Sequence, residues 1–121
     1  MRPNTDLETV FKLIRARKYW FSAPSRSVNK VIETYAASPS PKSTSEAETF
    51  ILEGIFTLRN ENFFKSGTQW GMVTDIYGLI YDGRHWYVKL GVQNEEDEVG
   101  KSSEPWLQEI SFHPPEKSFK T

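Results

Sequence analysis

Cysteine is absent from the 121 residues. That excludes a disulfide scaffold, a thiolate nucleophile, a cysteine-based zinc site and an iron–sulfur centre. Histidine is scarce, with only His85 and His113. A zinc shell would have to be filled by carboxylates, and no HExxH spacing occurs. Long apolar runs are missing too. The longest mostly apolar stretch, Phe50 to Leu58, is broken by Glu53, Gly54 and Thr57, far short of the ~20 residues that span a bilayer. The opening Met1-Arg2-Pro3-Asn4-Thr5-Asp6 has no apolar core of a secretory signal. No glycine-rich phosphate loop and no serine nucleophile elbow is present. The expectation is a soluble cytoplasmic protein without metal or cofactor.

Aromatic residues, by contrast, are abundant: 4 Trp, 5 Tyr and 8 Phe. Such a load argues against a disordered chain. The length suits one domain, residues 1–121, able to build a core without covalent staples. Charge is nearly balanced, with 15 basic and 16 acidic residues, but it is unevenly spread. Lys12, Arg15, Arg17, Lys18, Arg26 and Lys30 fall between Thr9 and Ile32 with no acid among them. Glu95, Glu96, Asp97 and Glu98 form one acidic run. The basic stretch is either a solvated helix face or a patch that faces phosphate. The acidic run reads as a solvated loop that could also meet a basic partner.

Spacing along the chain predicts helices first and strands afterwards. Thr5-Asp6-Leu7-Glu8 has the form of a capping box, followed by Leu7, Val10, Phe11 and Ile14 on one helical face. Tyr19-Trp20-Phe21-Ser22 suits a short strand. Pro24 and Ser25 announce a second helix through Val28, Val31, Ile32 and Tyr35. A loop with two prolines and four serines runs from Ala37 to Ser45. Ser45-Glu46-Ala47-Glu48 then predicts a capped third helix carrying Phe50, Ile51, Ile55 and Leu58 and ending near Arg59-Asn60. Phe63 to Ser66 reads as a strand with a turn at Gly67. Met72 to Tyr81, His85 to Gln93 and Trp106 to His113 follow as strands, with Asp82-Gly83 as a hairpin turn, a loop from Asn94 to Glu104 and a stop at Pro114-Pro115. This order predicts an α+β protein with N-terminal helices on one face of a C-terminal antiparallel sheet.

Alternation sorts the strand residues. Trp86, Val88, Leu90 and Val92 form the core side of their strand, so Tyr87 and Lys89 point away. In the last strand Trp106, Gln108, Ile110 and Phe112 share one side, and Leu107, Glu109, Ser111 and His113 the other. Tyr87, Lys89 and His113 can therefore share the face away from the core. A two-residue turn at Asp82-Gly83 puts Thr74, Ile76 and Ile80 on the Tyr87 side, and a three-residue turn puts them on the core side. Lysine, tyrosine and histidine near a basic helical region can cleave RNA without metal. A ribose 2′-hydroxyl attacks the adjacent phosphate, which needs a base, a cation and an acid for the leaving 5′-oxygen.

Four runs carry a resemblance: Phe63-Phe64-Lys65-Ser66-Gly67-Thr68, Thr74-Asp75-Ile76-Tyr77, Trp86-Tyr87-Val88-Lys89-Leu90 and Ile110-Ser111-Phe112-His113. They are similar to F-Y-K-S-M-T, W-Q-D-V-Y, a V-Y-L/V-K strand and a terminal S-F-K in the MqsR family of bacterial toxins. The similarity extends over roughly Leu7 to Glu116 and includes the order of the preceding elements. The resemblance implies a RelE-like, barnase-related fold, cleavage of messenger RNA and a cognate antitoxin protein encoded alongside. It implies that Lys65 and Tyr87 match the family's lysine and strand tyrosine. Thr74 replaces a glutamine, His113 a terminal lysine, and Phe64 a tyrosine. Histidine ordinarily titrates near neutrality and can shuttle protons there, whereas lysine mostly supplies charge.

The resulting expectation is an endoribonuclease toxin of a toxin–antitoxin system. Lys65 and Lys89 would hold the phosphate, Tyr87 and His113 would move protons, and Thr74 would position the scissile group. Arg15, Arg17, Lys18 and Arg26 would guide RNA. The plain alternatives stay open: Lys65 and Lys89 as solvated strand lysines, Tyr87 as a packing aromatic, His113 and His85 as surface residues. A non-enzymatic binding protein, such as an immunity or antitoxin-like partner of similar fold, is the competing reading. It draws on the net charge of −1.

Overall fold

The computed structural model describes residues 2–22, 25–94 and 105–115. Three helices, α1 (Leu7–Arg15), α2 (Arg26–Thr34) and α3 (Thr44–Phe56), come before most of the sheet. The strands are β1 (Tyr19–Trp20), β2 (Phe63–Gln69), β3 (Met72–Tyr81), β4 (Arg84–Asn94) and β5 (Pro105–His113), with a 3-10 turn at Asn60–Asn62. The spatial order is β1-β5-β4-β3-β2. β2 to β5 form an antiparallel meander, but β1 pairs parallel to β5, with Tyr19 opposite Leu107. The α+β class holds, and the expected antiparallel sheet is corrected to a mixed one. Among the described residues no helix is long and apolar enough to cross a membrane.

One core joins helices and sheet. Val10, Val31, Ala47, Ile51 and Ile55 from the helices meet Tyr77, Trp86, Val88, Leu107 and Phe112 from the strands, all essentially inaccessible to solvent. Each large side chain so buried contributes about 1.5–3 kcal/mol. α3 lies close on β5 because Gly54 has no side chain there. A Cβ at Gly54 would stand 2.9 Å from the Phe112 ring.

Several local expectations shift. α1 is not closed by a Thr5–Glu8 box: Asp6 is the N-cap and makes no side-chain cap bond. The Asn4 and Thr5 N–H groups instead donate to the Asp75 carboxylate at 2.8 and 2.9 Å, and Ser66 Oγ donates to it at 2.7 Å. A buried carboxylate accepting several N–H and O–H donors holds the segment more strongly than one local cap. α3 does have a capping box, but it joins Ser43 and Glu46 rather than Ser45 and Glu48. Both pairs have the required spacing, and the helix starts at the earlier one. It also ends at Phe56, earlier than expected. Gly67 is not a turn. β2 runs on to Gln69, and the chain reverses at Trp70 and Gly71, with φ of 54° and 75°. Asp82 and Gly83 repeat that pair of left-handed residues, which suits the twist of a two-residue hairpin. Pro24, the acidic run Glu95–Glu98 and most of its loop lie outside the described residues.

Candidate functional site on the open face of the sheet

The two-residue hairpin fixes the faces of β3 and β4. Tyr81 stands opposite Arg84 and Gly78 opposite Tyr87, so Thr74, Ile76 and Ile80 share the Tyr87 side. Two cross-strand rows follow. One reads Lys65–Ile76–Lys89–Ser111, and its neighbour Gly78–Tyr87–His113. The helices cover the opposite face.

Strict alternation in β5 is broken. Lys89 pairs with Ser111 and Leu90 with Glu109, leaving Ile110 as an extra residue. Such a bulge shifts the alternation by one position. Leu107 and Glu109 therefore face the helices together with Phe112, and not His113's side as expected. Trp106, Gln108, Ser111 and His113 share the side of Tyr87 and Lys89.

The Tyr87 and His113 rings stack, with centroids 5.0 Å apart and planes 16° from parallel. His113 Nδ1 is 2.7 Å from the Pro114 carbonyl oxygen. A carbonyl can only accept, so Nδ1 carries the hydrogen and Nε2 of the neutral ring is left as the basic nitrogen. Burial pushes the Tyr87 phenol above its ordinary range, and the nearby Lys65 charge opposes that rise. Tyr87 is thus a phenol at neutral pH, a donor rather than a base. Lys89 Nζ donates to Gln69 Oε1 at 3.0 Å and lies 5.8 Å from the Tyr87 ring centre. Lys65 Nζ lies 5.6 Å from the Phe64 ring centre.

The other expected residues divide. Thr74 is on the right side by register but only 1 % exposed, so its hydroxyl is not offered to an incoming ligand. A buried hydroxyl there does not reach the scissile group in the way expected of Thr74. Arg15 lies over the Phe56 ring, 5.6 Å from its centre, within the helical layer. Arg17 occupies a left-handed turn after α1, with φ of 59°. The Lys18 carbonyl accepts from the Leu107 N–H where β1 meets β5. Arg26, however, joins the site. With Lys30, Glu33 and Thr34 of α2 it lines a cleft of about 380 Å³ whose far wall is Ser111, His113 and Pro114. His85 is exposed beside its hairpin.

Sequence reasoning missed two buried carboxyl groups. Asp75 belongs to a motif matched for function, yet it clamps the N-terminal segment. Glu109 is 1 % exposed. Its carboxyl accepts from Ser27 Oγ at 2.7 Å and from the Ser22 N–H at 3.2 Å, and Ser22 Oγ donates to Ser27 Oγ at 3.0 Å. Burial raises the Glu109 carboxyl to about 7, against the lowering effect of those hydrogen bonds. The network ties the first turn of α2, and so Arg26, to β5. The signal for it was the one acid in β5, set between Gln108 and Ile110. Among the described residues no group of three His, Asp or Glu side chains is placed to hold a metal ion. No protein-family model matches the chain, and no curated protein matches it.

Proposed function

We propose that this protein is an endoribonuclease toxin of a toxin–antitoxin system, cleaving messenger RNA through 2′-hydroxyl attack at the open face of its sheet. The observation that carries the reading is the grouping of Lys65, Lys89, Tyr87 and His113 on two adjacent cross-strand rows of one face. His113 Nε2 takes the 2′-hydroxyl proton as the 2′-oxygen bonds to phosphorus. The phosphorus–5′-oxygen bond breaks, and the Tyr87 phenol or the newly protonated His113 supplies the proton to the leaving oxygen. Lys65 and Lys89 offset the charge that builds on the phosphorane oxygens. The resemblance to MqsR toxins of the runs that carry Lys65, Tyr87, Lys89 and His113 supports the same assignment. A RelE-like arrangement, a cytoplasmic setting and a cognate antitoxin belong to this proposal.

Growth after induced expression tests it. The native protein should arrest growth, and Lys65→Ala, expressed at the same level, should not. Exposed apolar residues on the β2–β3 hairpin, with Trp70 at 71 % and Val73 at 41 %, favour a second reading as a non-enzymatic binding protein. Unimpaired growth with native protein would select that reading.

A further inference from the structure

The cleft between α2 and the end of β5 is not needed for the attack at phosphorus, yet it shares a wall with the group that drives it. Arg26 and Lys30 present two cations from successive turns of α2, and Ser111 presents a hydroxyl from the facing strand. Thr34 adds no donor, because its hydroxyl already donates to the Lys30 carbonyl at 2.7 Å. Glu33 lies 3.7 Å from Lys30, so the lining keeps one net positive charge without counting His113. The volume, about 380 Å³, suits a single sugar–phosphate unit rather than a whole macromolecular segment.

Cations continue from this cleft across the open face. Ser111 stands beside Lys89 and Lys89 two strands from Lys65. At a strand spacing of ~4.8 Å the Lys65-to-Lys89 backbone separation is about 10 Å. The basic track therefore crosses the strands at right angles and reaches α2 past His113, at the end of β5. The stacked Tyr87–His113 pair lies along that track and offers a ring surface on which a base can stack.

Resting on the ribonuclease reading above, we infer that the α2–β5 cleft is a second phosphate subsite: Arg26 and Lys30 bind the phosphodiester next to the one being cleaved. The RNA then crosses the sheet perpendicular to its strands. Arg26 and Lys30 are binding residues here, not catalytic ones.

The probe is 2′-O-methyl RNA, which lacks the attacking hydroxyl, so binding is read without cleavage. A dinucleotide with one phosphate is compared with trinucleotides extended at either end, by calorimetric titration at low salt. One trinucleotide should bind native protein on the order of tenfold more tightly than the dinucleotide. In the Arg26→Ala/Lys30→Ala double variant that advantage should vanish, with dinucleotide affinity kept. The salt slope for the trinucleotide should flatten by about 0.7 for the lost phosphate. Both substituted residues are exposed on α2, and an unchanged circular-dichroism melt verifies folding. A trinucleotide advantage that survives in the double variant overturns the subsite while leaving the ribonuclease reading intact. Native protein that neither binds these oligonucleotides nor cleaves any RNA removes both.

Discussion

The two faces of the sheet are made by the same strands and do opposite work. On the covered face Tyr77, Trp86, Val88 and Phe112 pack against three helices. On the open face Lys65, Lys89, Tyr87 and His113 stand in two cross-strand rows, opposite the side on which the helical core packs. The difference shows how a motif divides by position. In Thr74-Asp75-Ile76-Tyr77 every residue is buried. Asp75 holds the N-terminal segment and Tyr77 fills the core, so this motif is explained by folding. In Trp86-Tyr87-Val88-Lys89 the alternate residues separate cleanly, Trp86 and Val88 inward, Tyr87 and Lys89 outward. The first motif is accounted for by packing and the Asp75 clamp, and the second leaves two side chains on the open face.

The strongest way to break that contrast is to strip the open face. Lys65→Ala and His113→Ala should each fold normally and lose RNA cleavage by a factor of ~100 to ~10,000, the usual span for one acid–base or charge-stabilising group. Arg15→Ala, whose guanidinium sits over Phe56 in the helical layer, should cleave as native protein does. Near-native cleavage by a folded His113→Ala variant would move proton transfer to another group.

The covered face should reveal itself through stability. Glu109 holds its proton up to about 7 in the folded protein but only to about 4.3 when unfolded. Between those pH values the folded state binds the extra proton, so stability is greatest below the unfolded value and falls as pH rises through the folded one. The expected loss is roughly 4 kcal/mol across that window. Glu109→Gln should remove this contribution from denaturant unfolding curves measured between pH 4.5 and 7.5. A slope that persists unchanged in the variant would exclude Glu109 as its source.

The smallest effect is expected at Tyr77. Its hydroxyl is buried with no hydrogen-bond partner among the described residues, and burial beside Asp75 pushes its ionisation upward. Removing an unsatisfied buried hydroxyl relieves a desolvation cost, so Tyr77→Phe should leave stability unchanged or raise it by about 1 kcal/mol. A loss of more than that amount would reveal a partner for this hydroxyl.

Much of the covered face was legible in the sequence. Leu7, Val10 and Ile14 announced the buried side of α1, and Asp82-Gly83 announced its hairpin. What could not be read depended on distant pairing. The register of β3 hung on one residue in a turn. The extra Ile110 leaves no local sign, and it moved Leu107 and Glu109 to the covered face. The Asp75 clamp joins residues 70 positions apart in the chain, and β1 finds β5 across a still longer gap, with Tyr19 opposite Leu107. Tyr87, Lys89 and His113 share the face on which alternation put them, and the β2–β3 register adds Lys65 to it. Thr74 does not serve there, because alternation gives a side and says nothing of depth. The Arg26 cleft needed α2 docked beside β5, which no local pattern specifies.

The central claim is that the open face cleaves RNA by attack of its own 2′-hydroxyl. The most direct measurement takes purified protein and single-stranded RNA in EDTA and identifies the ends produced. The account predicts cleavage that leaves a 2′,3′-cyclic phosphate and a 5′-hydroxyl, abolished when the RNA is 2′-O-methylated. Products carrying 5′-phosphates, or no cleavage by folded protein with or without ribosomes, would contradict it.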